Sequence, residues 1–335
     1  MTLSIIIVNY KSEQLVLDCI TSVYQQTKDI SFEIILVDNN SEDNCEVLVK
    51  SAFPDVRWLQ TGYNAGFARA NNAGIKISNG EYVLLLNSDT IILDGALDKT
   101  IRLFEKDNAV GCGVQLLNPD GSHQISGAHF VKGGANYLLP LPYIGAFVRF
   151  AAYSMNARVP SITAITDRVE VDWIVGAFLL AKKSVIDKAG LLDEDFFMYA
   201  EEIEWCSRLR KQGNMVLYSE PQVIHIGGAT SGNFYDTKES DNSKNLWNRK
   251  GRQIIISMLL RTRKQYGIAW FLFMLFMFVI DIPVFVLGLA IEKIIKGGSS
   301  KYTWKNVSDY TKNVWCLLLH TPKIIANKGY FYKVK

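Results

Sequence analysis

Tyr82-Val83-Leu84-Leu85-Leu86-Asn87-Ser88-Asp89 is an apolar run that ends in an acid. A strand buried on both faces reads as continuous apolar sequence, and an open parallel sheet gathers its working groups at the carboxyl ends of its strands. The same pattern occurs twice upstream, in Leu3-Ser4-Ile5-Ile6-Ile7-Val8-Asn9 and in Ile34-Ile35-Leu36-Val37-Asp38. Three strand tips therefore carry polar groups able to converge on one crevice. Working outward, strands are expected over 4–9, 33–38, 56–60, 82–87, 110–116 and 215–218, with helices over 13–26, 64–78 and 93–106. The first helix presents Leu15, Cys19, Ile20 and Val23 at helical spacing. This alternation predicts an α/β domain with a mostly parallel central sheet. Residues 122–168 have little periodicity and several Gly and Pro residues, which reads as a flexible or acceptor-shaping insertion.

The chain has 335 residues, 49% hydrophobic and 21% charged, enough to bury a full α/β core and still carry an appendage. A net charge of +3, with no long Lys/Arg block in the first 240 residues, argues against a nucleic-acid partner. Cys19, Cys45, Cys112, Cys206 and Cys316 are odd in number, scattered and without a Cys-x-x-Cys pair. That pattern fits neither a disulfide framework nor a zinc knuckle, and points to a reducing cytosol. The apolar stretch 3–8 is too short for a signal-peptide core and has no basic flank, so the amino terminus is expected to stay in the cytosol.

Composition changes after about residue 245, which divides the chain into an expected α/β domain over 1–245 and a C-terminal helical region over 246–335. From Ile268 to Ile291 it reads IAWFLFMLFMFVIDIPVFVLGLAI, interrupted only by Asp281 and Pro283. Spanning a bilayer takes ~20 such residues. Basic residues lie on both sides: Arg249, Lys250, Arg252, Arg261, Arg263 and Lys264 before it, and Lys293, Lys296, Lys301 and Lys305 after it. Positive charge marks the cytoplasmic flank, so one simple crossing fits poorly. A hairpin broken near Asp281-Ile282-Pro283, or a helix lying in the interface, keeps both flanks in the cytosol. Membrane association through residues 250–300 is expected, with a buried helix pair of a soluble domain as the rival reading.

Five segments in this order and spacing carry a specific resemblance: Val8-Asn9-Tyr10, Val37-Asp38-Asn39-Asn40-Ser41, Asn64 to Gly74, Leu86-Asn87-Ser88-Asp89 and Phe197-Met198-Tyr199-Ala200-Glu201-Glu202. Over about residues 3–230 the chain resembles an inverting family 2 glycosyltransferase, most closely the rhamnosyltransferase-like branch. The resemblance implies a GT-A (nucleotide-diphospho-sugar transferase, Rossmann-like) domain, a nucleotide-diphospho-sugar donor and a divalent metal, Mg²⁺ or Mn²⁺. Together with the apolar C-terminal stretch, these motifs lead to the expectation of a glycan or lipid-linked acceptor at the cytoplasmic face of the membrane.

Departure of a nucleotide diphosphate leaves charge that a metal or fixed cations must absorb. Asp89 is the natural metal ligand. The family motif is Asp-x-Asp or a variant, and here Asn87 offers only a neutral amide oxygen; Asn87-Ser88-Asp89 also suits a strand-ending turn. The resemblance gives Asp38 the pyrimidine ring N–H, with Asn9 and Tyr10 lining the same pocket, although Asp-Asn-Asn-Ser is also a favourable helix-start sequence. Asn64 and Gly66 open a helix whose first amides can face phosphate, Arg69 adds a fixed cation, and Ser88 lies on the same phosphate side. No Gly-x-Gly-x-x-Gly or Walker pattern occurs, which disfavours dinucleotide or ATP binding.

An inverting displacement needs one base for the acceptor hydroxyl. The family's Glu-Asp pair maps onto Glu201 and Glu202, with Glu202 as the base, one methylene longer than the usual aspartate. Glu201 or Glu204 are alternatives, and a solvated acidic helix face is the bland reading. His225 matches a family histidine near the metal or diphosphate, Thr230 and Ser231 follow on the same loop, and Trp173 stacks on sugar or fills core. The Gln-x-x-Arg-Trp type motif of processive synthases is missing, so one sugar per binding event is expected. The expected function is transfer of L-rhamnose from dTDP-rhamnose to a lipid-linked or cell-surface polysaccharide precursor. A UDP-hexose transferase of the same fold and a catalytically silent nucleotide-sugar-binding scaffold are the alternatives.

Overall fold

The computed structural model describes residues 1–156, 159–227 and 245–334. By internal contacts the chain forms two units. The first comprises Met1–Phe130, Pro160–Phe197 and Glu201–Glu239, and the second Val131–Val159, Met198–Ala200 and Ser240–Lys335.

The first unit is built on a sheet of nine strands among the described residues. The order β3-β2-β1-β4-β11-β6-β12-β5 joins β1 (Leu3–Asn9), β2 (Phe32–Asp38), β3 (Arg57–Gln60), β4 (Tyr82–Asn87), β5 (Thr90–Ile92), β6 (Gly111–Leu117), β11 (Phe178–Lys182) and β12 (Met215–His225). A further strand, β9 (Arg168–Val171), pairs with β12. Strands β3, β2, β1 and β4 are mutually parallel, as are β6 and β12. β11 runs antiparallel between β4 and β6, which makes the sheet mixed but mostly parallel. The expected strands are all present. β11 is an addition: Phe-Leu-Leu-Ala-Lys is too short an apolar run to announce its partner or direction.

Both faces of the sheet are covered, which is why the early strands are apolar over most of their length. One face packs with α1 (Glu13–Gln26), α2 (Cys45–Ala52) and α4 (Ala96–Glu105), and the other with α3 (Gly66–Lys76), α6 (Lys183–Ala189) and α7 (Glu201–Leu209). The stripe of α1 is Val16, Cys19, Ile20 and Val23; Leu15 is only half-buried, so Val16 takes the place expected for it. Three short strands, β7 (Gly127–Ala128), β8 (Ser161–Ile162) and β10 (Trp173–Ile174), make a separate small sheet. All five cysteines are free; Cys19, Cys45, Cys112 and Cys206 are buried and Cys316 is half-buried.

The second unit contains a short 3-10 stretch (Lys132–Leu138), α5 (Ile144–Ser154) and three long helices, α8 (Arg249–Tyr266), α9 (Ile268–Ile295) and α10 (Trp304–Ala326). The segment read as an irregular insertion thus contains a helix. Of the two arrangements expected for this stretch, the hairpin broken near Asp281-Ile282-Pro283 is not formed: α9 runs unbroken for 28 residues. A proline removes one amide donor, and a helix packed along its length tolerates that loss. Phe271, Met274, Phe278, Asp281, Phe285 and Leu289 form the buried stripe of α9. Among the described residues it is the one helix long and apolar enough to cross a membrane.

Candidate active site

Parallel pairing sets the first three tips side by side: Asn9 lies opposite Asp38 and Val8 opposite Asn87. At the β1–β2 tips Asn9 Nδ2 donates to Asp38 Oδ1 (2.8 Å) and to Ser41 Oγ (3.1 Å). Asp38 also accepts from Ser41 Oγ (2.6 Å), the Ser41 amide (3.0 Å) and Gln60 Nε2 (2.9 Å). It is 2% exposed. Four donors fill the acceptor capacity of a carboxylate. A pyrimidine N–H would therefore have to displace one of them, and exposed Gln60 is the one able to swing away. Tyr10 is half-buried with Lys11 Nζ over its ring, 5.7 Å from the centroid.

The start of α3 differs from expectation. Ala65 N donates to Asn39 Oδ1 (2.7 Å), Gly66 N to Asn64 Oδ1 (3.1 Å) and Phe67 N to Phe197 O (2.9 Å). Those amides are engaged by protein acceptors, so Asn64 and Gly66 organise the turn in place of the phosphate cradle read from the sequence. Gly66 has φ +73°, and a β-carbon there would sit 2.1 Å from Phe197 O, so only glycine fits. Arg69 Nε donates to Glu194 O (2.9 Å), which fixes its guanidinium toward the acidic segment before α7.

At the tip of β4, Ser88 and Asp89 are buried. Ser88 Oγ lies 3.3 Å from Ser12 Oγ, and Ser12 Oγ donates to Asn9 Oδ1 (2.9 Å), which ties this tip to the first. Antiparallel pairing of β12 with β5 places His225 opposite Thr90, and Ile226 N donates to Asp89 O (2.9 Å). The expected pair Asp89 and His225 is thereby brought together, with Nε2 3.4 Å from Asp89 Oδ1 and 3.3 Å from Asn87 Nδ2.

Gln124, which no spacing in the sequence marks, sets the state of that histidine. Its Nε2 donates to His225 O (2.5 Å) and Asn118 Oδ1 (2.7 Å), so its Oε1 faces His225 Nδ1 at 3.0 Å. An amide oxygen accepts, which assigns a hydrogen to Nδ1, and in the neutral imidazole this leaves a lone pair on Nε2. That lone pair accepts from Asn87 Nδ2 and also lies beside an Asp89 carboxylate oxygen. Two acceptors so placed suit a shared cation: adjacent ligands on an octahedral ion with bonds of ~2.1 Å lie about 3.0 Å apart. A histidine whose other nitrogen donates to a fixed acceptor is the usual form of a metal ligand. Among the described residues no third His, Cys, Asp or Glu joins the pair, so phosphate oxygens and water would complete the shell.

The acids meet this region through Gly176-Ala177. Asn87 N donates to Ala177 O (3.0 Å), and a β-carbon on Gly176 would sit 3.6 Å from Glu202 Cβ and 3.3 Å from Phe67 Cζ. Glu202 and the Asn87–Asp89 tip therefore flank one turn. Glu202 is half-exposed, whereas Glu201 is 3% exposed. Glu204 is excluded as a base, since Arg208 Nε and Nη2 grip both its oxygens at 2.9 and 2.8 Å. Trp173, in β10, is half-buried and packs against the core. Thr230 and Ser231 lie outside the described residues.

Residues 4–158 match the family described as Glycosyl transferase family 2. Over 215 residues the chain is 30% identical to the low-salt glycan biosynthesis hexosyltransferase Agl10 of Haloferax volcanii, covering 63% of this chain and 62% of that protein. It is 26% identical over 215 residues to the N-acetylglucosaminyl-diphospho-decaprenol L-rhamnosyltransferase of Mycobacterium tuberculosis, covering 59% of this chain and 68% of that one. The chain thus spans just under two thirds of the archaeal relative. The crystal structure of GalNAc-T7 with UDP, GalNAc and Mn²⁺ superposes with a TM-score of 0.50 at 13% identity, over 67% of this chain and 43% of that chain, a likeness of fold alone.

Proposed function

From a chain that carries a family 2 glycosyltransferase domain of GT-A fold, we propose an inverting transferase that adds one sugar, L-rhamnose from dTDP-rhamnose, to a lipid-linked or cell-surface polysaccharide precursor. The observation that carries this reading is the turn flanked by Glu202 on one side and the Asp89–His225 pair on the other. Asn9, Tyr10 and Asp38 line the base side, Ser88 and Asn87 the diphosphate side, and Arg69 steadies the acidic segment before α7 through Glu194. Asp89 and His225 would hold Mg²⁺ or Mn²⁺, whose charge offsets that developing on the leaving diphosphate. Glu202 takes the proton from the acceptor hydroxyl as that oxygen attacks the anomeric carbon from the face opposite the leaving group. Glu201, buried at the start of α7, orients that helix rather than exchanging protons with acceptor.

The rhamnosyl donor is supported by the mycobacterial relative, and a UDP-hexose donor, the second reading, by the archaeal hexosyltransferase. The C-terminal region 246–335 holds the enzyme at the cytoplasmic membrane face. Radiolabelled dTDP- and UDP-sugars, offered with lipid-linked acceptor in the presence and absence of EDTA, test donor and metal together. Turnover of dTDP-rhamnose abolished by EDTA is expected. Glu202→Gln should lower kcat by about 10²–10⁴-fold with dTDP affinity retained; an unchanged rate would remove Glu202 as the base and favour a binding scaffold or another acid.

A further inference from the structure

A helix of 11 residues is marginal in water even with ideal composition, and α5 buries only Gly145. Its large side chains are exposed: Phe147 (71%), Phe150 (69%) and Tyr153 (85%), followed by Met155 (79%). Its one charged side chain, Arg149, turns back to donate to Leu139 O (2.6 Å). Such a helix requires an apolar medium along its flank.

The root of α5 is fixed on α9. The Tyr143 ring meets Phe285 (centroids 6.1 Å), and its hydroxyl donates to Glu292 Oε2 (2.7 Å). Gly288 makes room for that ring, since a β-carbon there would lie 2.6 Å from Tyr143 Cδ2. Gly288, Ile291 and Ile295 share a helix face, so exposed Ile291 and Ile295 continue the side of α9 on which Tyr143 sits. Opposite its buried stripe, α9 exposes Leu272, Phe273, Phe276, Ile280 and Leu287; only 28% of its most apolar window is buried. On α10 an exposed row of Trp304, Trp315 and Leu319 is bordered by Lys305, Lys312 and Lys323 at one helical offset. Apolar and aromatic rows edged with lysine fit an anionic lipid surface.

The packing also decides how deep the unit sits. α9 buries its stripe against α8 and α10. On α8, Arg252 and Arg261 are nine residues apart, about 13.5 Å of helix, against a hydrocarbon core of ~30 Å. On α10, Lys312 and Lys323 are about 16.5 Å apart by the same measure. If α9 crossed the bilayer, its packed neighbours would carry these cations into the hydrocarbon.

We propose that the second unit lies in one leaflet of an anionic bilayer, with α9 in the membrane plane and α5 inserted as a second anchor through Phe147, Phe150 and Tyr153. The inference deepens the membrane reading above and shares its premise that lipid is the partner. The full chain is floated with vesicles of phosphatidylcholine alone or mixed with phosphatidylglycerol. Binding to the mixed vesicles, weakened about tenfold or more in F147S/F150S, is expected, with Y153S as a milder second variant. Ser299→Cys, just after α9, and Gln265→Cys, at the end of α8 just before it, both checked to react in vesicle-free protein, are expected to react with an impermeant maleimide added outside intact vesicles, above the background of the unsubstituted chain. Protection of either one until detergent is added would overturn the in-plane placement while leaving membrane binding standing. Full binding by both α5 variants would overturn the anchor. Failure to bind any vesicle, with a dimer in solution, would overturn both this inference and the membrane reading, without touching the transferase assays.

Discussion

The orientation of one amide decides which nitrogen of His225 faces Asp89. In Gln124→Leu nothing accepts from Nδ1, so the hydrogen moves to Nε2, where Asp89 Oδ1 at 3.4 Å receives it, and the pair closes on itself. Mn²⁺ affinity, read by electron paramagnetic resonance on the purified protein, should fall about 10–100-fold; equal affinity would show that Gln124 has no such hold. Strain is stored nearby in sequence: Tyr199 and Ala200, immediately before Glu201, have φ of 71° and 67°. Ala200→Gly relieves about 1–2 kcal/mol of left-handed strain and returns about half of it as chain entropy. A net gain of about 0.5–1 kcal/mol in denaturant unfolding is expected. Asp89 was picked out by the apolar run that ends in it, whereas Glu202 and His225 were assigned through the family resemblance rather than from any pattern in the flanking residues. Gln124 was reached by neither route, because its role depends on the end of β12 passing beside a polar loop, a contact across 101 positions of sequence. The amides of α3 misled for a related reason: a glycine-opened helix looks the same in sequence whether its donors face a ligand or Asn39 and Phe197.

At the scale of elements, Asp107 fastens β9 and β12 beyond the end of α4. Arg168 donates to it through Nε (2.6 Å) and Nη2 (3.1 Å), and Tyr218 through its hydroxyl (3.0 Å). The Arg168 guanidinium is the chief cause that holds the Asp107 carboxyl below its ordinary value. The lowered folded-state value means that this contribution is present above the unfolded pKa, about 3.9, and is lost as pH falls through the folded one. Arg168 is partly exposed, so Arg168→Ala should cost only about 0.5–1 kcal/mol at neutral pH. It should also flatten the acid limb of stability, as followed by urea unfolding from pH 3 to 6. Parallel strands were easy to find, since burial on two faces leaves long apolar runs. β11 was hidden by its brevity, and the hairpin alternative for 268–291 failed because Pro283 signals a break in water-exposed sequence but not in a helix held by neighbours.

For the molecule as a whole, a ligand present at a hundred times its Kd stabilises the folded state by about 2.7 kcal/mol. dTDP with Mn²⁺ should raise the melting temperature by about 5–10 °C, and EDTA should reverse most of it. A larger shift with UDP than with dTDP would favour the hexose reading. Neither the gathering of residues 131–159 with the C-terminal helices nor the membership of 198–200 in that unit had a compositional marker, because long-range contacts leave none. The four buried cysteines have a practical corollary. Burial lifts the thiols of Cys19 and Cys45 to about 12, and Cys112 and Cys206 are likewise enclosed, which leaves Cys316 as the sulfur a reagent meets first. Alkylation followed by intact-mass measurement should therefore count one adduct on native chains and five on denatured ones, a clock for global opening that requires no engineered probe.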